Sequence, residues 1–162
     1  FYIGIDNGVT GSIGIVGKEL TYYEFMETPI TFGQDYTKAK KNVSRVNVTA
    51  LAEVIHTLKG YGLCVAVLER PMKNPARFDA TCSAMRALEA ELTVLELYDV
   101  PYMFIDSKEW QKEMLPKGVV GTKELKKASL DIGKRLFPEI KDKHPDRDGI
   151  LIAEYARRKC LL

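Results

Sequence analysis

The chain has 162 residues, 46% of them apolar and 28% charged, which fits a packed globular domain and excludes a disordered chain. Its apolar runs, such as Val65–Leu68 and Ile150–Ala153, fall far short of the ~18 residues of a membrane span. The net charge of +2 says little by itself, and two histidines without a Cys-x-x-Cys pair exclude a zinc finger.

The distribution of charge says more. Lys38, Lys40, Lys41 and Arg45 fall in a stretch without an acid, basic residues outnumber acids from Ser107 to Arg147, and Arg157, Arg158 and Lys159 close the chain. Such clusters in a balanced chain point to a polyanion contacted over part of the surface. Cys64, Cys82 and Cys160 show no paired spacing and read as reduced thiols. With no secretory signal pattern at the start, the expected compartment is the cytoplasm.

In chain order, Tyr2–Asp6 alternates and ends at Asn7-Gly8, a turn signal. Ser12–Val16 and Leu20–Thr28 are two further strands, completing an antiparallel meander. Residues 29–47, basic and polar with Pro29 and Gly33, are expected as a long loop. Asn47 or Thr49 caps a helix to about Lys59, with Leu51, Val54, Ile55 and Leu58 on one face and Gly60 and Gly62 as its stop. Leu63–Leu68 is the continuous apolar run of a strand buried on both faces.

Residues 71–78 are irregular. A long helix follows from about Asp79 to Tyr98, with a stripe of Ala84, Met85, Leu88, Leu92 and Leu95. Tyr102–Ile105 is a short strand, and Ser107 is expected to cap a helix through Leu115. After a flexible basic loop, a helix from Lys123 to Phe137 carries Leu125, Ala128, Ile132 and Leu136 on one side. A polar loop through His144-Pro145 leads to a last helix, Asp148 to Lys159. There is no repeat and no linker. The expectation is a single domain over residues 1–162, of the α/β class, with one mixed sheet and helices on both faces.

Three acids stand where acids are costly. Asp6 ends the first strand, Glu69 ends the buried strand, and Asp148 opens a helix whose apolar face holds Leu151, Ile152 and Tyr155. Half-buried carboxylates require a partner, a proton or a cation. Open sheets place ligand sites beyond strand ends, where Asp6 and Glu69 meet if their strands are neighbours. Carboxylates converging there repel one another, and a hard divalent cation with oxygen ligands, Mg²⁺ or Mn²⁺, relieves the repulsion. An ordinary structural role accounts for each acid alone: an Asx turn at Asp6, a pair with Arg70 at Glu69, and a first-turn acid at Asp148. Asp146 is then the alternative cap of the last helix.

The ordered set of motifs resembles the RuvC-type Holliday-junction resolvases. Ile-Gly-Ile-Asp6-Asn-Gly-Val-Thr-Gly11-Ser resembles their opening strand, turn and strand. Val-Leu-Glu69-Arg-Pro-Met-Lys-Asn resembles their second acidic motif, and the helix carrying Ser83-Ala-Met-Arg-Ala-Leu-Glu-Ala follows at the expected place. Ser107-Lys-Glu-Trp110-Gln-Lys and Gly121-Thr-Lys123-Glu-Leu-Lys-Lys-Ala-Ser129 resemble the basic stretch after it. Asp146-Arg-Asp148-Gly-Ile-Leu-Ile-Ala-Glu-Tyr-Ala resembles the last motif. The likeness runs from Tyr2 to about Arg158 and is greatest to the shorter RuvC-like proteins of bacteriophages of Gram-positive hosts.

The resemblance implies an RNase H-like fold, with a five-stranded mixed sheet whose first three strands are antiparallel. It implies a homodimer acting in the host cytoplasm, two Mg²⁺ or Mn²⁺ ions per site, and paired nicks at a four-way junction leaving 5′-phosphate and 3′-hydroxyl ends. Asp6, Glu69 and Asp148 match the first, second and last catalytic acids. The family usually has Asp or His three residues before the last acid, where this chain has Pro145. Asp146 is taken as the fourth ligand, with His144 as the alternate. On this reading Lys38, Lys40, Lys41 and Arg45 hold DNA arms together with Arg70, Lys73 and Arg77. Met72 and Phe78 wedge against unstacked bases, Lys123 touches the phosphate near the cut, and helix 79–98 is a candidate dimer face. Forks and flaps are substrates too if selectivity is relaxed. The competing readings are a ribonuclease H acting on RNA–DNA hybrids and a junction-binding protein with a decayed metal site. An actin-like or sugar-kinase pair of domains needs a longer chain.

Overall fold

The computed structural model describes residues 1–35 and 37–161. The central sheet has five strands: β1 (Tyr2–Asp6), β2 (Ser12–Val16), β3 (Tyr23–Glu27), β6 (Val65–Glu69) and β7 (Tyr102–Ile105). Their order is β3-β2-β1-β6-β7. The meander is antiparallel, with Ile5 opposite Ile13 and Gly14 opposite Phe25, and β6 and β7 run parallel to β1. The expected mixed sheet, antiparallel through its first three strands, is therefore present.

Alternation divides the core into two layers. Ile3, Ile5, Ile13, Ile15, Ala66 and Leu68 face α1 (Val48–Tyr61) and α2 (Phe78–Leu97). Tyr2, Val16, Val65 and Val67 face the other side, against α3 (Ser107–Met114) and α5 (Asp148–Arg158), with α4 (Thr122–Leu136) packed outside. Asn47 caps α1, its side chain accepting from the N–H of Ala50 at 3.1 Å, as expected from the sequence. No helix among the described residues is long and apolar enough to cross a membrane.

The α5 helix lies directly on β1 and β2 because three glycines remove the side chains between them. A Cβ on Gly4 would collide with the backbone of Gly149 and Ala153, and one on Gly14 with that of Ile150. Ser12 completes the contact, its buried Oγ accepting from the N–H of Gly149 at 3.1 Å. This close approach carries the first residue of α5 to the end of β1.

Two expectations change. Residues 29–47 are not a loop but an antiparallel hairpin, β4 (Ile30–Gln34) and β5 (Asn42–Val46), with Ile30 opposite Val46 and Gln34 opposite Asn42. Ile-Thr-Phe and Val-Ser-Arg-Val carry ordinary strand preference, and Val46 alone is fully buried, so the apolar alternation is too faint to read. Tyr36, inside that stretch, lies outside the described residues. Ser107 is also not the cap of α3. Asp106 holds that position, and the Ser107 hydroxyl is engaged with Glu69.

Candidate active site

Because β1 and β6 are parallel neighbours with Ile5 beside Leu68, Asp6 and Glu69 emerge side by side at their carboxyl ends. The start of α5 adds Asp148, and the turn before it adds Asp146. One carboxylate oxygen each from Asp6, Asp146 and Asp148 lies within 4.8 Å of the other two. Neither an Asx turn at Asp6 nor an ion pair between Glu69 and Arg70 is formed: Gly11 N–H closes the β1–β2 turn on Gly8 O, and Arg70 bonds Asp106 at 3.3 Å.

Glu69 stands beside the trio with both oxygens held. Oε1 accepts from the Ser107 hydroxyl at 2.7 Å, and Oε2 from the indole N–H of Trp110 at 2.6 Å. Trp110 is fully buried in the core, so its donor is rigid. The start of α3 therefore fixes the direction of a carboxylate on β6.

Burial pushes Asp6 well above the usual carboxylate range, and the charges of Asp148, Glu69 and Asp146 push it further. Burial, then Asp146 and Glu69, push Asp148 up to about 7, against the opposing Ser129 hydroxyl and Lys126. Burial is the larger cause at both residues, and the mutual repulsion of the gathered carboxylates adds to it.

Asp146 is fully buried, and Lys126 Nζ reaches its Oδ2 at 2.8 Å. That hydrogen bond holds the Lys126 ammonium above its ordinary pKa. Asp146 Oδ1 accepts from the N–H of Asp148 at 3.2 Å and lies 3.2 Å from His144 Nδ1. His144 itself is turned away, its Nε2 at 3.2 Å from Thr10 O and its ring edge-on to Phe25. Of the two candidates for the fourth position, Asp146 joins the trio and His144 stands behind it as a support.

In front of Asp6 and Glu69 is an open cleft of about 250 Å³, whose lining includes Arg70, Met72, Asn74, Arg77 and Thr81. Lys73 is exposed outside that lining. Met72 and Phe78 are 80% and 72% exposed, and Met72 lies in the lining of that cleft. Lys38, Lys40, Lys41 and Arg45 are exposed on the hairpin, and Lys41 borders a separate cleft shared with Phe78 and Arg86 of α2. Lys123 is exposed on α4, one turn before the lysine that reaches the carboxylates.

Sequence reasoning missed Lys126, Ser129, Ser107, Trp110 and Arg147. A signal existed for two of them. Lys126, Ser129 and Gly133 share one face of α4 at spacings of three and four, beside its apolar stripe.

Neither a protein-family model nor a curated protein sequence matches the chain. Solved structures do. Thermus thermophilus RuvC in complex with a Holliday junction substrate superposes with a TM-score of 0.61 at 18% identity, covering 99% of this chain and 94% of that one. Another structure of T. thermophilus RuvC gives a TM-score of 0.60 at 16% identity, over 98% and 96% of the two chains. The chain thus has the five-stranded RNase H-like fold of RuvC from end to end.

Proposed function

We propose that this chain is a divalent-metal-dependent endonuclease that resolves four-way DNA junctions and related branched DNA, forks and flaps included, by paired nicks. One observation carries the reading: Asp6, Asp146 and Asp148 converge beside a fixed Glu69 at the strand ends of a RuvC fold. A superposed structure of that fold is described in complex with a Holliday junction.

The residues suit Mg²⁺ or Mn²⁺. All four donors are carboxylates, the ligand type of hard cations, and Asp6, Asp146 and Asp148 converge with Lys126 as the cation paired among them. Asp6, Asp148, Asp146 and Glu69 hold the ions on this reading, two per site. Bound ions supply polarisation of the phosphodiester and an acidified water.

The chain's own groups do the rest. Trp110 and Ser107 keep Glu69 from swinging away, so the acidic surface is preorganised. Lys126, now paired with Asp146 at 2.8 Å, would be free to meet a phosphate oxygen if cations took its place on the carboxylates. Arg70, Lys73 and Arg77 meet the strand at the cleft, with Met72 and Phe78 as apolar wedges. Lys38, Lys40, Lys41 and Arg45 hold an arm through phosphates, as Lys123 does nearer the cut, and such contacts weaken steeply with salt. A junction presents two opposed strands, so paired nicks call for two sites and hence a homodimer, with α2 as its candidate face.

The test uses end-labelled four-way junction, fork and linear duplex, with Mg²⁺, Mn²⁺ or chelator, beside Asp6→Asn. Paired, metal-dependent cuts near the branch, leaving 5′-phosphate ends and absent in the variant, are the expected result. Salt-sensitive binding without cleavage on any DNA replaces this reading with a binding protein. Cleavage confined to RNA–DNA hybrid replaces it with a ribonuclease H.

A further inference from the structure

Between the two aspartates of the last motif stands Arg147, and its side chain is entirely buried. A buried cation is expensive unless closely satisfied. No carboxylate of the described residues lies within ion-pair distance of it. Its partners are backbone carbonyls of one turn: Nη1 donates to His144 O at 3.1 Å and to Asp146 O at 2.8 Å, and Nη2 to Asp142 O at 2.6 Å. The guanidinium also stacks over Phe25 of β3, 4.7 Å from the ring centroid. The backbone N–H of Arg147 donates to the buried Ser129 hydroxyl of α4 at 3.1 Å.

The space for this side chain is made by Gly133. A Cβ there would overlap Cβ and Cγ of Arg147. An apolar residue fills a core position without needing three carbonyls to converge on it. What this arrangement fixes is the path of residues 142–147, and that path decides where Asp146 and Asp148 point.

We propose that Arg147 is a positioning residue for the carboxylate site: its planar fork gathers the carbonyls of Asp142, His144 and Asp146 and so directs Asp146 and Asp148 onto Asp6. The proposal rests on the metal-binding reading above. Lysine cannot serve, because a single ammonium does not span three carbonyls in a plane.

The test compares wild type with Arg147→Met, Arg147→Lys and Gly133→Ala. The readouts are Mn²⁺ affinity from the free-ion paramagnetic resonance signal, thermal unfolding with chelator, and kcat and KM on junction DNA. The expected result is a folded Arg147→Met protein whose Mn²⁺ affinity falls ~10–100-fold, the usual effect of losing a support behind a ligand. Its kcat falls while KM for DNA holds, and Arg147→Lys does not restore either. Gly133→Ala keeps the charge but displaces the Cβ and Cγ of Arg147 that carry the guanidinium, and it reproduces the loss if Arg147→Met fails to fold. Wild-type Mn²⁺ affinity in a folded Arg147→Met or in Gly133→Ala overturns the proposal alone. Failure of the wild type to bind Mn²⁺ overturns the metal-binding reading and this role with it.

Discussion

Lys126 Nζ stands 2.8 Å from Oδ2 of Asp146, a carboxylate with no exposed surface, while nearly half of the lysine side chain reaches solvent. The pair joins α4 to the turn before α5 and places a movable cation against the acidic trio. Lys126→Met leaves Asp146 with only the Asp148 N–H and His144. Leaving a buried acceptor short of its partner costs about 1–3 kcal/mol. Unfolding with chelator should therefore begin at a lower temperature than in wild type, and saturating Mn²⁺ should raise the midpoint by more in the variant. An equal metal-induced rise in both would show that the ammonium does not stand in for a cation.

The pH dependence of the metal-free protein follows from Asp6 and Asp148. Both hold protons to higher pH in the folded chain than when unfolded, Asp148 to about 7. Their contribution is therefore complete below the ordinary carboxylate range and lost as pH rises through about 7. Thermal midpoints measured with chelator should fall from about pH 4 to about pH 7. Mn²⁺ should reverse the fall, its affinity rising over the same interval with release of protons. A midpoint indifferent to pH with chelator would contradict the crowding of these carboxylates.

Glu91 of α2 is a separate buried acid. It has no exposed surface, neither oxygen completes a hydrogen bond, and burial pushes it up to about 8 despite partial relief from the Gly8 backbone. The proton is held in the folded state and lost on unfolding, so stability declines as pH climbs through about 8. Glu91→Gln should match wild type only below the ordinary carboxylate range and exceed its midpoint by a growing margin as pH rises to about 8. Parallel curves for the two proteins would place the alkaline loss elsewhere.

Ser107 offers a mild way to release Glu69. Ser107→Ala removes the 2.7 Å donor to Oε1 and leaves Trp110 on Oε2. Losing a support behind a ligand costs ~10-fold or more in metal affinity or activity. Cleavage at limiting Mg²⁺ should drop by that order with little change in unfolding temperature, and excess Mg²⁺ should recover part of it. Unchanged cleavage at limiting Mg²⁺ would mean that Trp110 suffices.

The sheet was legible because period-two alternation and Asn7-Gly8 act within a few residues. Asn47, capping Ala50 three residues on, was legible for the same reason. The hairpin at residues 30–46 was not, since only Val46 is fully buried and its other positions carry no pattern a reader can separate from a loop. The candidate site divides in the same way. Asp6, Glu69 and Asp148 stood out as acids at the rims of apolar segments.

The supports around those acids left almost no local trace. Trp110 reaches Glu69 across 41 residues, Lys126 reaches Asp146 across 20, and His144 reaches Thr10 across 134. By itself the sequence determined the strands of the central sheet, the helices and the three acids that sit uneasily among them, because each depends on neighbours along the chain. Only the tertiary structure decided that Asp146 rather than His144 joins them, that Lys126 rather than Lys123 faces them, and that Arg147 is buried. Those choices depend on which side chains meet when α4 and α5 close on the sheet, and Gly4, Gly14 and Gly149 make that closure possible.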